Sequence, residues 1–300
     1  MGVSCRAQDG VLGEGAVFLP PHSSYTEQLR DEDFVRLSKF IYSVAGIKLP
    51  PAKRIMLQSR LQRRLRALEI PDFKQYTDYV LSPQGQQAEL VHMLDVVSTN
   101  KTDFFREPIH FDFLREQVLP AFCTGGHSRT LKVWSAGCSS GEEPYTIAIV
   151  LAEFFESHVG FDFSILATDL STRVLAAAHN AVYKEERVEG IPFELKRKYF
   201  LRSKDRSKPT VRVVPALRKK VRFERLNFMD ESYRVADMFD VIFCRNVLIY
   251  FDRKTQEQVI QRLCTKLKPH GNFFLGHSES VMNMNLPLRQ LKPTIFEKLE

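Results

Sequence analysis

Apolar residues recur at helical intervals from Tyr25 to about Val97, and no strand-like run interrupts them. Asp31 and Asp33 precede Phe34-Val-Arg-Leu-Ser-Lys-Phe-Ile41, the signature of a capped amphipathic helix. Pro50-Pro51 marks the start of a second helix, and Phe73–Leu81 and Ala88–Val97 predict two more. Residues 25–97 are therefore expected to form a helical domain. Residues 1–24 hold Gly, Pro and Ser without a period and predict a flexible tail.

Beyond Ser98 the pattern changes. Strands are predicted at Leu131–Ala136, Phe163–Thr168, Val221–Leu226, Phe239–Cys244, Asn272–Gly276 and Thr294–Leu299. Helices are predicted between them at Pro144–Glu156, Thr172–Asn180 and Lys254–Leu267. This alternation predicts an α/β domain over 98–300 with a doubly wound, parallel, Rossmann-like sheet. Residues 188–220 break the rhythm with Leu195–Leu201, a basic loop and Thr210–Val214, which predicts a small β insertion with an interaction role.

Composition narrows the function classes. The 300 residues are 44% hydrophobic, ordinary for a chain with a real core. No apolar run approaches the ~20 residues of a membrane span, and no secretory signal is legible, so a cytoplasmic protein is expected. The five cysteines are scattered without a Cys-x-x-Cys, and no His pair has helical ligand spacing. Neither a disulfide framework nor a metal site is expected. The net charge of +7 points to an acidic partner.

One strand–turn–helix stretch carries candidate chemistry: Val133-Trp-Ser-Ala-Gly-Cys-Ser-Ser-Gly-Glu-Glu-Pro-Tyr-Thr-Ile-Ala-Ile149. A helix N-terminus ordinarily attracts phosphate, yet Glu142 and Glu143 occupy that place. The Gly137-x-x-x-Gly141 spacing is neither a dinucleotide fingerprint nor a Walker loop. A cationic, ribose-bearing ligand such as S-adenosylmethionine fits better. The glycines permit close backbone approach, and Asp169, ending the next strand, stands where an acid commonly holds ribose hydroxyls.

Several strings make a family resemblance explicit. They are Ser98-Thr-Asn-Lys-Thr-Asp-Phe-Phe-Arg-Glu107, Ser135-Ala-Gly-Cys-Ser-Ser-Gly-Glu-Glu-Pro-Tyr145, Ala167-Thr-Asp-Leu170, Asp240-Val-Ile-Phe-Cys-Arg-Asn-Val-Leu-Ile-Tyr-Phe-Asp252 and Gly276-His-Ser-Glu-Ser280. With them the sequence closely resembles the CheR-type chemotaxis receptor methyltransferases. The resemblance implies S-adenosylmethionine as methyl donor, S-adenosylhomocysteine as product, and chemoreceptor glutamates as acceptors that become methyl esters. Carried over by motif, it implies cofactor contacts at Asn100, Thr102, Arg106, Gly137, Glu143, Asp169, Asn227, Phe228, Arg245 and Asn246. It places Arg106 and Tyr250 nearest the transferred methyl.

Lys48–Leu68 holds seven Lys or Arg and no acid. On a helix, Leu57, Leu61, Leu65 and Leu68 form an inward stripe and the arginines fall on the outer arc. Lys53, Arg60, Arg63 and Arg64 are thus expected to dock the cytoplasmic domains of acidic receptors. Nucleic acid is not expected as a partner, because no aromatic for base stacking lies in this stretch. The resemblance adds that some members grip a receptor's C-terminal tether with the insertion. Arg202–Thr210 lacks the glycine-rich turn of those members, which counts against tether docking. A nucleic-acid methyltransferase and a non-catalytic scaffold that binds S-adenosylmethionine are the alternative readings.

Overall fold

The computed structural model describes residues 28–125 and 129–300, so the expected tail at residues 1–24 lies outside the described residues. The helical domain consists of α1 (Asp31–Ala45), α2 (Arg54–Ala67), α3 (Phe73–Leu81) and α4 (Pro83–Val97). Acids fill the first turn of α1, and Gly46 ends it in the left-handed region at φ 69°, where glycine carries no Cβ penalty. The α3 N-cap is Asp72, which accepts from the Gln75 amide at 2.7 Å. The α4 helix starts earlier than the apolar period suggested. Ser82 caps it at the Gly85 amide and Pro83 takes the first turn; Gly85 and the glutamines diluted the hydrophobic signal there. Leu57, Leu61 and Leu65 of α2 are buried with Phe34, Leu37, Ile41, Tyr76 and Met93 in one core. Leu68, the expected fourth member of the stripe, lies just past the helix and is only partly buried.

Two short helices, α5 (Ile109–Phe113) and α6 (Leu119–Thr124), flank a π-helical turn at Leu114–Val118 and lead into the sheet. Its strands are β1 (Thr130–Ala136), β2 (Asp162–Asp169), β6 (Val221–Arg225), β7 (Phe239–Cys244), β8 (Leu267–Leu275), β9 (Leu288–Lys292) and β10 (Ile295–Lys298). Their spatial order is β6-β2-β1-β7-β8-β10-β9. Pairing is parallel from β6 to β8 and antiparallel where β10 joins β8 and β9. The sheet is thus doubly wound but mixed at one edge, where the sequence suggested neither β9 nor a hairpin. Pro269 and Gly271 read as a helix stop, yet they lie inside β8. Between the pairs Phe239↔Leu267 and Val241↔Asn272 the β8 strand carries extra residues, and this bulge accommodates the proline.

Both sheet faces are buried, as parallel strands require. Leu131, Val133, Val241 and Phe243 face one core with Tyr145, Ile149 and Phe111. Trp134, Ala136, Ile242 and Cys244 face the other. Helix α7 (Glu142–Glu156) contributes to the first core, and α11 (Arg253–Cys264) to the second through Val259, Ile260 and Leu263. Helix α8 (Thr172–Asn180) follows β2.

The insertion is a separate antiparallel sheet, ordered β3-β5-β4, of β3 (Val182–Lys184), β4 (Phe200–Arg202) and β5 (Thr210–Val213) with α9 (Phe193–Tyr199) between the first two. It begins before residue 188, the expected boundary, because β3 pairs with β5 across the whole excursion. Helix α10 (Pro215–Arg218) returns the chain to β6.

The two domains are joined by hydrogen bonds. Asp95 at the end of α4 accepts from the Thr172 hydroxyl at 2.9 Å, at the start of α8. Asn227 Nδ2 donates to the Val44 carbonyl at 2.6 Å, and the Lys48 amide donates to the Tyr250 carbonyl at 2.9 Å.

Candidate active site

The strand order reverses between β1 and β7, and a ligand crevice is expected above the C-terminal ends of these strands. An open cleft of about 1070 Å³ lies there, walled on the other side by Ala45, Ile47, Leu49 and Met56 of the helical domain. All of the cofactor and catalytic candidates named from sequence line it, from Asn100 and Thr102 to Asn246 and Tyr250. Of the expected docking residues, Lys53 alone lines it.

Each wall has a local cause. Gly137 follows β1 at φ 93°, and a Cβ there would sit 2.3 Å from Val247 Cγ2, so only glycine fits without displacing the wall. Gly137→Ala is expected to cost ~1–3 kcal/mol of stability and to weaken cofactor binding; chemical denaturation and calorimetry with S-adenosylhomocysteine check it. Gly141 has a different task from the one expected of it. It does not line the cleft, and a Cβ there would meet the Tyr183 hydroxyl and Ala178, so it serves helix packing.

The two glutamates at the start of α7 separate clearly. Glu142 turns away from the cleft, accepting from Arg187 at 2.7 Å and from the Ser140 hydroxyl. Glu143 lines the cleft, accepting from the Ser135 hydroxyl at 2.7 Å and from Arg245 at 3.2 Å. Burial pushes its carboxyl up, against the pull of Arg245 and Ser135. Asp169 ends β2 and accepts from the Ser139 and Ser171 amides, both at 2.9 Å. Burial also raises its carboxyl, against those amides, and a carboxylate has further acceptor sites left for a ligand.

Arg245, at the end of β7, is 5% exposed and serves as the hub of the floor. Its guanidinium donates to Glu143, to Glu107 Oε2 at 3.0 Å and to the Arg106 carbonyl. Burial alone would raise Glu107, but Arg245, Asn246 and the His277 amide outweigh it and hold its pKa low. One arginine therefore faces two carboxylates that shift in opposite directions: Glu143, on which burial weighs more heavily, goes up, and Glu107, with two further donors, goes down.

Arg106 is presented by a strained turn. Its neighbours Phe105 and Glu107 have φ 52° and 58°, an uncommon region for such residues. Its guanidinium makes one hydrogen bond, to the Lys101 carbonyl at 3.0 Å, and it half-emerges into the cleft. Tyr250 closes the same end, with its hydroxyl 3.4 Å from the Thr99 carbonyl and Lys53 Nζ 5.8 Å from its ring centroid.

Sequence reasoning missed two residues that set this geometry. Glu279 is 8% exposed and accepts four backbone N–H groups, from Asn246, Val247, Leu248 and Gly276, at 2.7 to 2.9 Å. It fixes the loop that carries Asn246, Val247 and Tyr250. Glu107 orients Arg245 and accepts from Asn246 Nδ2 at 3.2 Å. The available signal was an acid beside small residues immediately after a strand, in Gly276-His-Ser-Glu-Ser280, and one adjoining Arg106.

The expected docking face is altered. Arg64 forms a two-pronged pair with the buried Glu89 at 2.7 Å, and Arg60 donates to the Val97 and Ser98 carbonyls and to Thr99. Neither points freely outward. The α2 helix has no acids of its own, but α4 supplies one beneath it. Arg63 and Arg66 are exposed.

A family model described as "CheR methyltransferase, SAM binding domain" matches residues 100–296, and one described as "CheR methyltransferase, all-alpha domain" matches residues 32–98. The chain belongs to the CheR methyltransferase family. It is 39% identical over 273 residues to the chemotaxis protein methyltransferase of Borreliella burgdorferi, covering 89% of this chain and 94% of that one. It is 39% identical to chemotaxis protein methyltransferase 2 of Pseudomonas aeruginosa, over 88% and 92% of the two chains. It is 38% identical to the chemotaxis protein methyltransferase of Escherichia coli K12, over 85% and 87%. The cleft of this CheR member fits S-adenosylmethionine. Asn100 Nδ2 is buried without a partner, Gly137 leaves room where a side chain would stand, and Glu143 and Asp169 offer carboxylates to a cationic, ribose-bearing molecule. None of the helices among the described residues is long and apolar enough to cross a membrane.

Proposed function

We infer that this protein transfers a methyl group from S-adenosylmethionine to glutamate carboxylates of chemoreceptors. The observation that carries the reading is the polarity of one cleft. Acids Glu143 and Asp169 line the part suited to a cationic donor, and Arg106 enters the end suited to an anionic acceptor. The donor supplies an activated methyl on a sulfonium, already a good leaving group. A glutamate with pKa ~4.3 is ionised at neutral pH, so no general base is required. What remains for the chain is alignment and exclusion of water.

In this reading Asp169 takes the ribose hydroxyls, Asn100 and Thr102 hold the donor's polar groups, and Glu143 faces its ammonium. Phe228 supplies an apolar surface. Asn227 is already committed through both side-chain atoms, to Val44 and to the Met229 amide, so it shapes the wall. Arg245 and Asn246 act through Glu107 and Glu143. The planar fork of Arg106 fixes the acceptor carboxylate, and Tyr250 donates a hydrogen bond beside it.

Incubation with labelled donor and receptor cytoplasmic domains tests the reading. Label should enter receptor as a base-labile ester. Label in RNA, or donor binding without transfer, supports the alternatives instead.

Glu143 adds a pH dependence. Its raised pKa means that it gains a proton earlier than an ordinary glutamate as pH falls, losing the charge that faces the donor's ammonium. Affinity for S-adenosylhomocysteine should begin to drop at a higher pH than an ordinary glutamate would allow and keep falling as the pH is lowered, and Glu143→Gln should bind weakly with a shallower slope. Calorimetry across a pH series reads both.

Lys53 and Arg63, with Arg66, form the docking face in this reading, since Arg60 and Arg64 are tied internally. Reversing Lys53 and Arg63 to Glu should lower receptor methylation roughly tenfold by weakening encounter and leave S-adenosylhomocysteine affinity within about twofold. Equal methylation of receptor by the double variant refutes this docking face.

A further inference from the structure

Beneath the cleft, His110 presents a chemical problem that methyl transfer leaves unsolved. It is fully buried. Its Nε2 lies 2.9 Å from the Thr294 hydroxyl, and that hydroxyl lies 2.6 Å from the Pro293 carbonyl. A carbonyl only accepts, so the Thr294 proton points to Pro293 and His110 Nε2–H donates to Thr294. That bond assigns the tautomer and leaves Nδ1 as a bare lone pair. Nδ1 has no hydrogen-bond partner and faces Glu107 Oε2 at 3.5 Å. Two acceptors thus confront each other, an unfavourable arrangement unless a cation joins them.

A third ligand group is at hand. His277, exposed at the end of β8, stands 5.2 Å from His110 ring to ring, and one ligand atom from each of Glu107, His110 and His277 lies within 4.8 Å of the others. We propose that Glu107, His110 and His277 form a site for a divalent transition metal such as zinc. Two imidazoles and one carboxylate make a familiar zinc donor set. Ligand atoms around a tetrahedral ion sit roughly 3.3 Å apart, so His110 Nδ1 and Glu107 Oε2, 3.5 Å apart, are already at chelating separation. Rotation of the exposed His277 ring closes the remainder and leaves a fourth position for water. The sequence conceals the site because His277 arrives from a distant strand end.

Occupancy has a consequence for the floor. Glu107 Oε2 is the atom that receives Arg245, and a dication on that oxygen repels the guanidinium. Metal binding therefore releases Arg245, and with it the setting of Glu143 and the Arg106 carbonyl, which makes the site inhibitory.

The test uses the full chain stripped of metal by a chelator, with Co2+ as visible-absorption probe and Zn2+ as competitor. One ion per chain is expected, with affinity falling at least about tenfold in His277→Ala and in Glu107→Gln. Titrations unchanged in both variants overturn the site; the exposed His277→Ala keeps this decisive if Glu107→Gln folds poorly. A second arm rests on the methyltransferase reading. Saturating Zn2+ should weaken S-adenosylhomocysteine binding about tenfold in the natural protein and not in His277→Ala. Unchanged affinity under Zn2+ overturns the inhibitory role, whereas failure to bind S-adenosylhomocysteine in the absence of metal counts against the methyltransferase reading instead.

Discussion

Arg106→Ala should fold normally, bind S-adenosylhomocysteine and lose methyl transfer by about 10²–10³-fold. The side chain contributes one hydrogen bond to the structure, to the Lys101 carbonyl, so stability should stay within ~0.5 kcal/mol of the parent. The loss falls on turnover because the guanidinium is expected to hold the attacking carboxylate. Arg106→Lys keeps the charge without the two-pronged geometry and should recover only part of the rate. Single-turnover transfer to receptor, set beside a denaturation curve, separates the two effects. A folded Arg106→Ala with near-normal turnover overturns the assignment.

Arg245→Met should fail differently. It removes the cation from between two enclosed carboxylates and leaves the Arg106 carbonyl without its donor. Breaking a buried pair from one side costs roughly 3–5 kcal/mol. The lower end is expected here, since Glu143 keeps the Ser135 hydroxyl and Glu107 keeps Asn246 and the His277 amide. Cofactor affinity and stability should fall together, in contrast with Arg106→Ala. Adding Glu107→Gln should restore part of the stability by removing one stranded charge. Urea midpoints for the single and double variants check this, and an Arg245→Met chain as stable as the parent contradicts the proposed hub.

The sheet was legible in the sequence wherever strands are continuous and apolar, as at Phe239–Cys244. It was illegible where a strand contains a bulge with proline, as in β8, or is short and exposed, as in β3 and β9. The cleft residues were recognised through strings that resemble a family. Their division of labour was not, because it depends on which way side chains turn. Glu142 and Glu143 are adjacent and chemically identical, yet one serves Arg187 and the other the cleft. Arg60 and Arg64 looked free because their partners, the Val97 carbonyl and Glu89, lie on another helix. Glu279 escaped notice because its partners are backbone amides, which no side-chain pattern reports.

At the seam beside the cleft, the helical domain contributes main-chain atoms to two of its bonds: the Val44 carbonyl to Asn227 and the Lys48 amide to the Tyr250 carbonyl. Main-chain atoms are the same whatever side chain is attached. Drift at these two positions, short of proline at 48, can thus alter the surface of the helical domain over evolutionary time without losing these bonds, and a transplanted helical module that keeps the local chain path should preserve both of them.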